Sequence, residues 1–266
     1  MIPQAVLEAF AVTDTPHRLP GGEERTYRAG DVVLRRENPD EVPDAEFAAA
    51  LFDGIQSSPE FRLPRPIRTA GGGWTTPDRW TAWTFVEGSE AQPEDAAEMV
   101  RAIEAFHCAI ASVPCPPYLR ERALVYDRAD RGAFGDLPRD VDPRMRPLLD
   151  DLCALRLPLA GLRDQVIHGD ANAANILVAP GLPPAIIDLA PYWRPPEFAL
   201  AVSALWMCGY HQHIEAFAAF EHAREFDQLL LRALIRTLLV ADGFGSADRL
   251  EAYRPSIDIV RARFTR

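Results

Sequence analysis

VIHGDANAANILVAPGLPPAIIDLA, Val166 to Ala190, is the stretch on which the reading of this chain turns. Two apolar runs of strand character, residues 176–178 (ILV) and 185–187 (AII), frame it. His168, Asp170 and Asn175 precede the first run, and Asp188 closes the second. A loop aspartate can orient a hydroxyl and accept its proton. An asparagine offers a neutral oxygen to a hard cation, and a second aspartate offers a charged oxygen to the same cation. Hard oxygen ligands, few in number, suit Mg²⁺ bound together with substrate phosphates. The set equips phosphoryl transfer, in which metal ions neutralise phosphate charge while a carboxylate orients the acceptor. Asp170, Asn175 or Asp188 alone reads more readily as an Asx residue capping a loop. The joint spacing is what points to chemistry.

Working outward, the rest of the chain divides in two. Toward the C-terminus, residues 196–210 (PEFALAVSALWMCGY), 214–223 (IEAFAAFEHA) and 226–244 (FDQLLLRALIRTLLVADGF) have helical character. Upstream of the central stretch, residues 93–113 form a strongly periodic helix and residues 143–157 another. Before Gly88 the character is β-rich. Residues 19–36 (LPGGEERTYRAGDVVLRR) read as strand, turn, strand, and residues 65–88 as a hairpin with a glycine-rich loop. Residues 44–55 form one helix between them, with Asp44 as its N-cap. The expected fold class is therefore α+β. A small β-rich N-lobe, residues 1–88, would meet a larger helical C-lobe, residues 89–266, at a hinge over 85–88.

The order His168-Gly169-Asp170, four residues, Asn175, an apolar strand, then Ile186-Ile187-Asp188 resembles the catalytic core of the aminoglycoside phosphotransferase family. That family has the two-lobed protein-kinase-like fold and includes small-molecule kinases. The chain looks most like actinobacterial members that carry IDLxPYWRPP after the metal aspartate. The resemblance implies that Asp170 is the catalytic base and that Asn175 and Asp188 hold Mg²⁺. It implies that His168 braces the loop.

The N-lobe departs from the kinase pattern. A kinase places a lysine on its third strand, touching ATP phosphates and pairing with a helix glutamate. All 28 basic residues here are arginines, and the matching run is Val32-Val33-Leu34-Arg35. Arginine keeps the charge in a planar, bulkier fork. Arg35 and Arg36 lie on opposite faces of a strand, so only one can face the cleft. Glu46 is the helix candidate for its partner, or else a solvated residue of a first turn. Gly21 and Gly22 would bring backbone N–H groups close to phosphates, although Glu23 and Glu24 follow and an ordinary turn explains the pair equally well. Phe85 and Glu87 lie where such folds bind adenine.

A net charge of −11 argues against nucleic acid as a partner. Four cysteines without a C-x-x-C pair and without a secretory leader read as a reduced, cytoplasmic protein. No apolar run reaches the ~20 residues of a membrane helix. The function expected is transfer from ATP (or GTP) with Mg²⁺ to a hydroxyl of a small molecule, such as an aminoglycoside, an amino sugar or an amino alcohol. The alternative is a nucleotide-binding pseudokinase with a regulatory or scaffold role.

Overall fold

The computed structural model describes residues 2–19, 25–210 and 212–265, the side chains of 210 and 247–249 excepted. Gly21 and Gly22 lie outside the described residues.

The first sheet is a four-stranded antiparallel meander of β1 (His17–Arg18), β2 (Thr26–Ala29), β3 (Val32–Arg36) and β4 (Trp80–Thr84). The short helix α1 (Gln4–Ala9) covers one face of it, where Val6 and Phe10 meet Leu34, Trp80 and Ala82. Strand alternation then turns the neighbouring residues of β3 and β4, Arg35 and Thr81, to the other face, and the register sets them directly opposite each other. The helix α2 (Val42–Gly54) follows β3. Asp44 lies within its first turn rather than at its N-cap, because a 3₁₀ turn at Pro39–Glu41 feeds straight into the helix.

The anticipated hairpin over 65–88 has only one regular strand, β4. The other arm keeps two bonds, Ile67 N–H to the Ala82 carbonyl and Thr84 N–H to the Arg65 carbonyl. Pro64 and Pro66 have no N–H to give, so a longer ladder cannot form.

After Gly88 come β5 (Ser89–Glu90), α3 (Ala96–Ala109), α4 (Pro117–Glu121), α5 (Val125–Phe134) and α6 (Arg146–Ala154). The central stretch follows as β6 (Gln165–His168), β7 (Ile176–Ala179) and β8 (Leu182–Ile186). Then β9 (Pro191–Arg194), α7 (Pro196–Ala204), α8 (Phe226–Gly243) and α9 (Arg254–Ala262) complete the chain. β5, β7 and β8 form one small antiparallel sheet, and β6 pairs with β9 in another. The helical run expected over 196–210 ends as α-helix at Ala204 and continues as a π-helical turn, Leu205–Tyr210. The run at 214–223 is a 3₁₀ segment, Ile214–Ala219.

The main core surrounds α3, α7 and α8. Phe106, Leu149, Phe198, Leu234 and Leu238 are fully buried there, and Val166, Ile167, Ile176 and Ile186 of the strands join them. α8 buries residues on every side, as a helix does when it runs through a core rather than along it. This apolar support fixes the strands β6 to β8, and so fixes the polar loops between them. The segment 61–63 ties the two halves together: Arg62 bridges Ala185 of β8, with Arg62 N–H on the Pro184 carbonyl and Ile186 N–H on the Arg62 carbonyl. Among the described residues no helix is long and apolar enough to cross a membrane, and the four cysteines are free thiols.

Candidate active site

His168 ends β6 with its ring 1% exposed. Its Nδ1 accepts the backbone N–H groups of Asp170 and Ala190, each at 3.3 Å. Nδ1 must then be unprotonated, so the proton sits on Nε2 and is donated to the Ile187 carbonyl at 3.2 Å. One imidazole thereby ties the Asp170 loop to the residues on both sides of Asp188. Burial holds its pKa below the usual histidine value, against the pull of Asp170 and Asp188, and the ring stays neutral.

Behind it stands His107 of α3, whose Nε2 accepts the His168 backbone N–H at 3.0 Å. Burial, and then the neighbouring imidazole, push His107 down to about 3. Nothing local marks His107 in the sequence, because its partner lies 61 positions away.

Asp170 is oriented by two asparagines. Asn172 Nδ2 donates to Oδ1 at 2.9 Å, and Asn175 Nδ2 donates to Oδ2 at 3.1 Å and to the Asp170 carbonyl at 2.8 Å. Asn172 also accepts the Ala174 N–H at 2.9 Å, which starts the 3₁₀ turn Ala173–Asn175. Asn172 was not singled out from the sequence. The signal was there, as an Asx residue two positions before a backbone donor. With its nitrogen committed to Asp170, Asn175 keeps Oδ1 free of hydrogen bonds among the described residues. Ile187 N–H donates to the Asn175 carbonyl at 3.0 Å, which brings Asp188 beside Asn175.

Asp188 lies two residues past β8 with φ +53°, in the left-handed region that few residues other than glycine and Asx residues adopt. Its side chain is 48% exposed and accepts a hydrogen bond from Arg35 Nη1. Arg35 is thus the arginine that faces the cleft, and Arg36 is exposed. Burial disfavours the Arg35 charge, but the Asp188 and Glu37 carboxylates outweigh it and hold the guanidinium more firmly protonated than usual.

Glu46 is not the partner of Arg35. It is exposed and accepts a hydrogen bond from Thr75 Oγ1 at 2.7 Å. The carboxylates that Arg35 meets are Asp188 and Glu37. The carboxylate of α2 that reaches the C-lobe is Asp44, held by Arg122. Arg122 also pairs with Asp127 of α5 at 2.7 Å and donates to the Pro191 carbonyl at 3.2 Å, so one guanidinium joins α2, α5 and β9.

Just past β4, Phe85 N–H donates to the Asp31 carbonyl at 2.7 Å, and the Arg28 guanidinium stacks 3.5 Å from the centre of the Phe85 ring. Glu87 is exposed, and its carbonyl accepts from Arg62. Gly169 is required by close approach, since a Cβ there would run into the Tyr192 ring. Arg236 of α8, buried and stacked on that ring, donates to the Gly169 carbonyl at 2.7 Å.

Among the described residues no three His, Cys, Asp or Glu side chains converge as a metal cage. One carboxylate (Asp188) and one amide oxygen (Asn175) suit a cation that brings most of its own oxygen ligands, as a phosphate-bound Mg²⁺ does.

A family model described as "Phosphotransferase enzyme family" matches residues 17–234. None of the curated proteins compared with the chain matches it in sequence. Solved structures do match along almost the whole length. A thermostable mutant of aminoglycoside phosphotransferase APH(4)-Ia, in its apo form, superposes with a TM-score of 0.65 at 16% identity, over 100% of both chains. Choline kinase LicA from Streptococcus pneumoniae gives 0.64 at 10% identity, over 97% of both. Amicoumacin kinase hAmiN, in complex with AMP-PNP, Ca²⁺ and Ami, gives 0.62 at 14% identity, over 98% of this chain and 93% of that one. The two-lobed α+β architecture is thus that of the kinase-like aminoglycoside phosphotransferases.

Proposed function

The chain belongs to the phosphotransferase enzyme family, and from that premise we propose that it transfers the terminal phosphoryl group of ATP, with Mg²⁺, to a hydroxyl of a small molecule. The observation that carries the reading is the binding of Asp170 by Asn175: the amide nitrogen is spent on the carboxylate at 3.1 Å, which leaves the amide oxygen for a cation, and the Ile187 N–H on the Asn175 carbonyl brings the Asp188 backbone alongside. Mg²⁺ held there would neutralise phosphate charge. Asp170, its two oxygens steadied by Asn172 and Asn175, positions the acceptor hydroxyl and takes its proton. Arg35 supplies positive charge in the phosphate region. Gly21 and Gly22, which lie outside the described residues, and the segment at Phe85 and Glu87 would hold the rest of the nucleotide. The α4–α5 segment borders an open cleft of about 300 Å³ against β9, lined by Leu119, Arg122, Tyr192 and Trp193, and in this reading it walls the acceptor side. An aminoglycoside-like compound, an amino sugar or an amino alcohol is the class of acceptor we infer, in the reducing cytoplasm.

One observation favours the second reading, a nucleotide-binding pseudokinase with a regulatory or scaffold role. Arg35 already occupies one oxygen of Asp188. Calorimetry with Mg·ATP, beside phosphate transfer over a panel of aminoglycosides and amino alcohols, separates the two. Binding with transfer supports the enzyme. Binding without transfer to any acceptor moves the weight to the pseudokinase. Absence of Mg·ATP binding refutes both.

A further inference from the structure

We propose that Glu37, not a residue of helix α2, is the carboxylate that positions Arg35, so that the phosphate-region cation is aimed from its own strand. The inference rests on the nucleotide-binding reading above.

Residues 35 and 37 are two apart in an extended chain and share one face. Glu37 lies just past the end of β3, where its N–H donates to the Arg79 carbonyl at 2.8 Å. Its side chain is 5% exposed. Oε2 lies 3.3 Å from Arg35 Nε, and Oε1 accepts from Thr81 Oγ1 at 2.9 Å. Thr81 is 1% exposed, stands opposite Arg35 in the register, and accepts in turn from Trp83 Nε1 at 3.3 Å. The far end of the guanidinium, Nη1, reaches Asp188. A chain of polar contacts, buried at Thr81 and Glu37, therefore runs from Trp83 of β4 through Thr81, Glu37 and Arg35 to Asp188.

A carboxylate this buried is costly unless paired and hydrogen-bonded. Burial pushes the Glu37 carboxyl up, and Arg35 and then Thr81 oppose that rise. Arginine suits the arrangement because its guanidinium spreads its charge over one plane, with Nε in ion-pair contact with Glu37, though not aligned as a hydrogen bond, and Nη1 donating to Asp188. An ammonium carries its three donors on one nitrogen, so it cannot span the separation that Nε and Nη1 bridge between the two carboxylates. Glu37 can thus keep Nε while Nη1 exchanges between Asp188 and a phosphate oxygen. Glu46, exposed and bonded to Thr75, has no part in this chain of contacts.

The test has two arms. In nucleotide-free protein, the ¹⁵N NMR signal of the Arg35 Nε–H is identified by its loss in R35K and then followed in E37Q and E46Q. The proposal expects E37Q to shift it toward the free-arginine position and E46Q to leave it in place. With Mg·AMP-PNP, E37Q is expected to raise Kd by about ten-fold or more, as loss of an orienting partner does. In an R35K background the same change should add no more than about two-fold, because interacting residues are non-additive. An Arg35 signal unmoved by E37Q, a shifted signal with unchanged Kd, or an equal effect of E37Q without Arg35 overturns the proposal. If E37Q does not fold, T81V removes only the hydroxyl on Glu37 and must shift the Arg35 signal in the same direction; no shift overturns the proposal. Should the wild type bind no nucleotide, the functional reading fails on that ground, while the first arm still decides the Glu37–Arg35 pairing.

Discussion

Acid should destabilise this protein through His107, and the size of the effect follows from its setting. The residue is 2% exposed, its Nε2 accepts the His168 N–H and so has no room for a second proton, and among the described residues its Nδ1 has no hydrogen-bond partner. Its folded pKa is about 3, against an ordinary 6.5. The folded value is the depressed one, so the stabilisation is complete above the unfolded pKa. It is lost as pH falls from about 6.5 toward 3. Taking protons into the unfolded chain alone costs up to ~1.4 kcal/mol per pH unit, and the integral from pH 7 to pH 5 is about 2 kcal/mol. His168, also held below its usual value by burial, acts in the same direction. The assay is urea unfolding of wild type and H107Q at the two pH values, glutamine being able to offer an oxygen to the His168 N–H. The stability gap between them should shrink by about 2 kcal/mol at pH 5. A gap that does not change with pH would refute the buried neutral imidazole and the brace it forms behind the catalytic loop.

Other consequences can be tested separately. D170A should keep the fold and lower kcat by about 10²–10⁴, the usual worth of a positioned general base, with the acceptor panel as the readout. D188A should abolish metal-dependent nucleotide binding in calorimetry. G169A should lower stability by about 1–3 kcal/mol, because the new methyl meets the Tyr192 ring that Arg236 pins in place. R122M should cost about 3–5 kcal/mol in chemical denaturation, since it strands Asp44 and Asp127, and the double change R122M/D127N should recover part of it.

Much of the site is local, and what is local can be read along the chain. The spacing HGDANAAN places a carboxylate and an amide oxygen on one loop. The apolar run that follows turns back and delivers Asp188 two residues beyond its end, next to Asn175 through the Ile187 N–H. The alternation in Val32-Val33-Leu34-Arg35-Arg36 restricts the cleft to one of two arginines, and the family pattern adds the two lobes. Those features depend on strand period, turn chemistry and apolar support, all of which act over a few residues.

The tertiary structure decided who pairs with whom. Leu34 packs against α1, and that burial is what sends Arg35 rather than Arg36 into the cleft. The rotation of α2 gives Asp44 to Arg122 and leaves Glu46 exposed, so the carboxylate nearest in space to Arg35 Nε is one only two residues along the chain. His107 and Arg236, 61 and 67 positions from the loop they hold, carry no mark of that role in the sequence. Composition and period set where a side chain can point. Which partner it meets depends on the distances that packing fixes, and an ion pair or a buried hydrogen bond falls away within a few ångströms of misplacement.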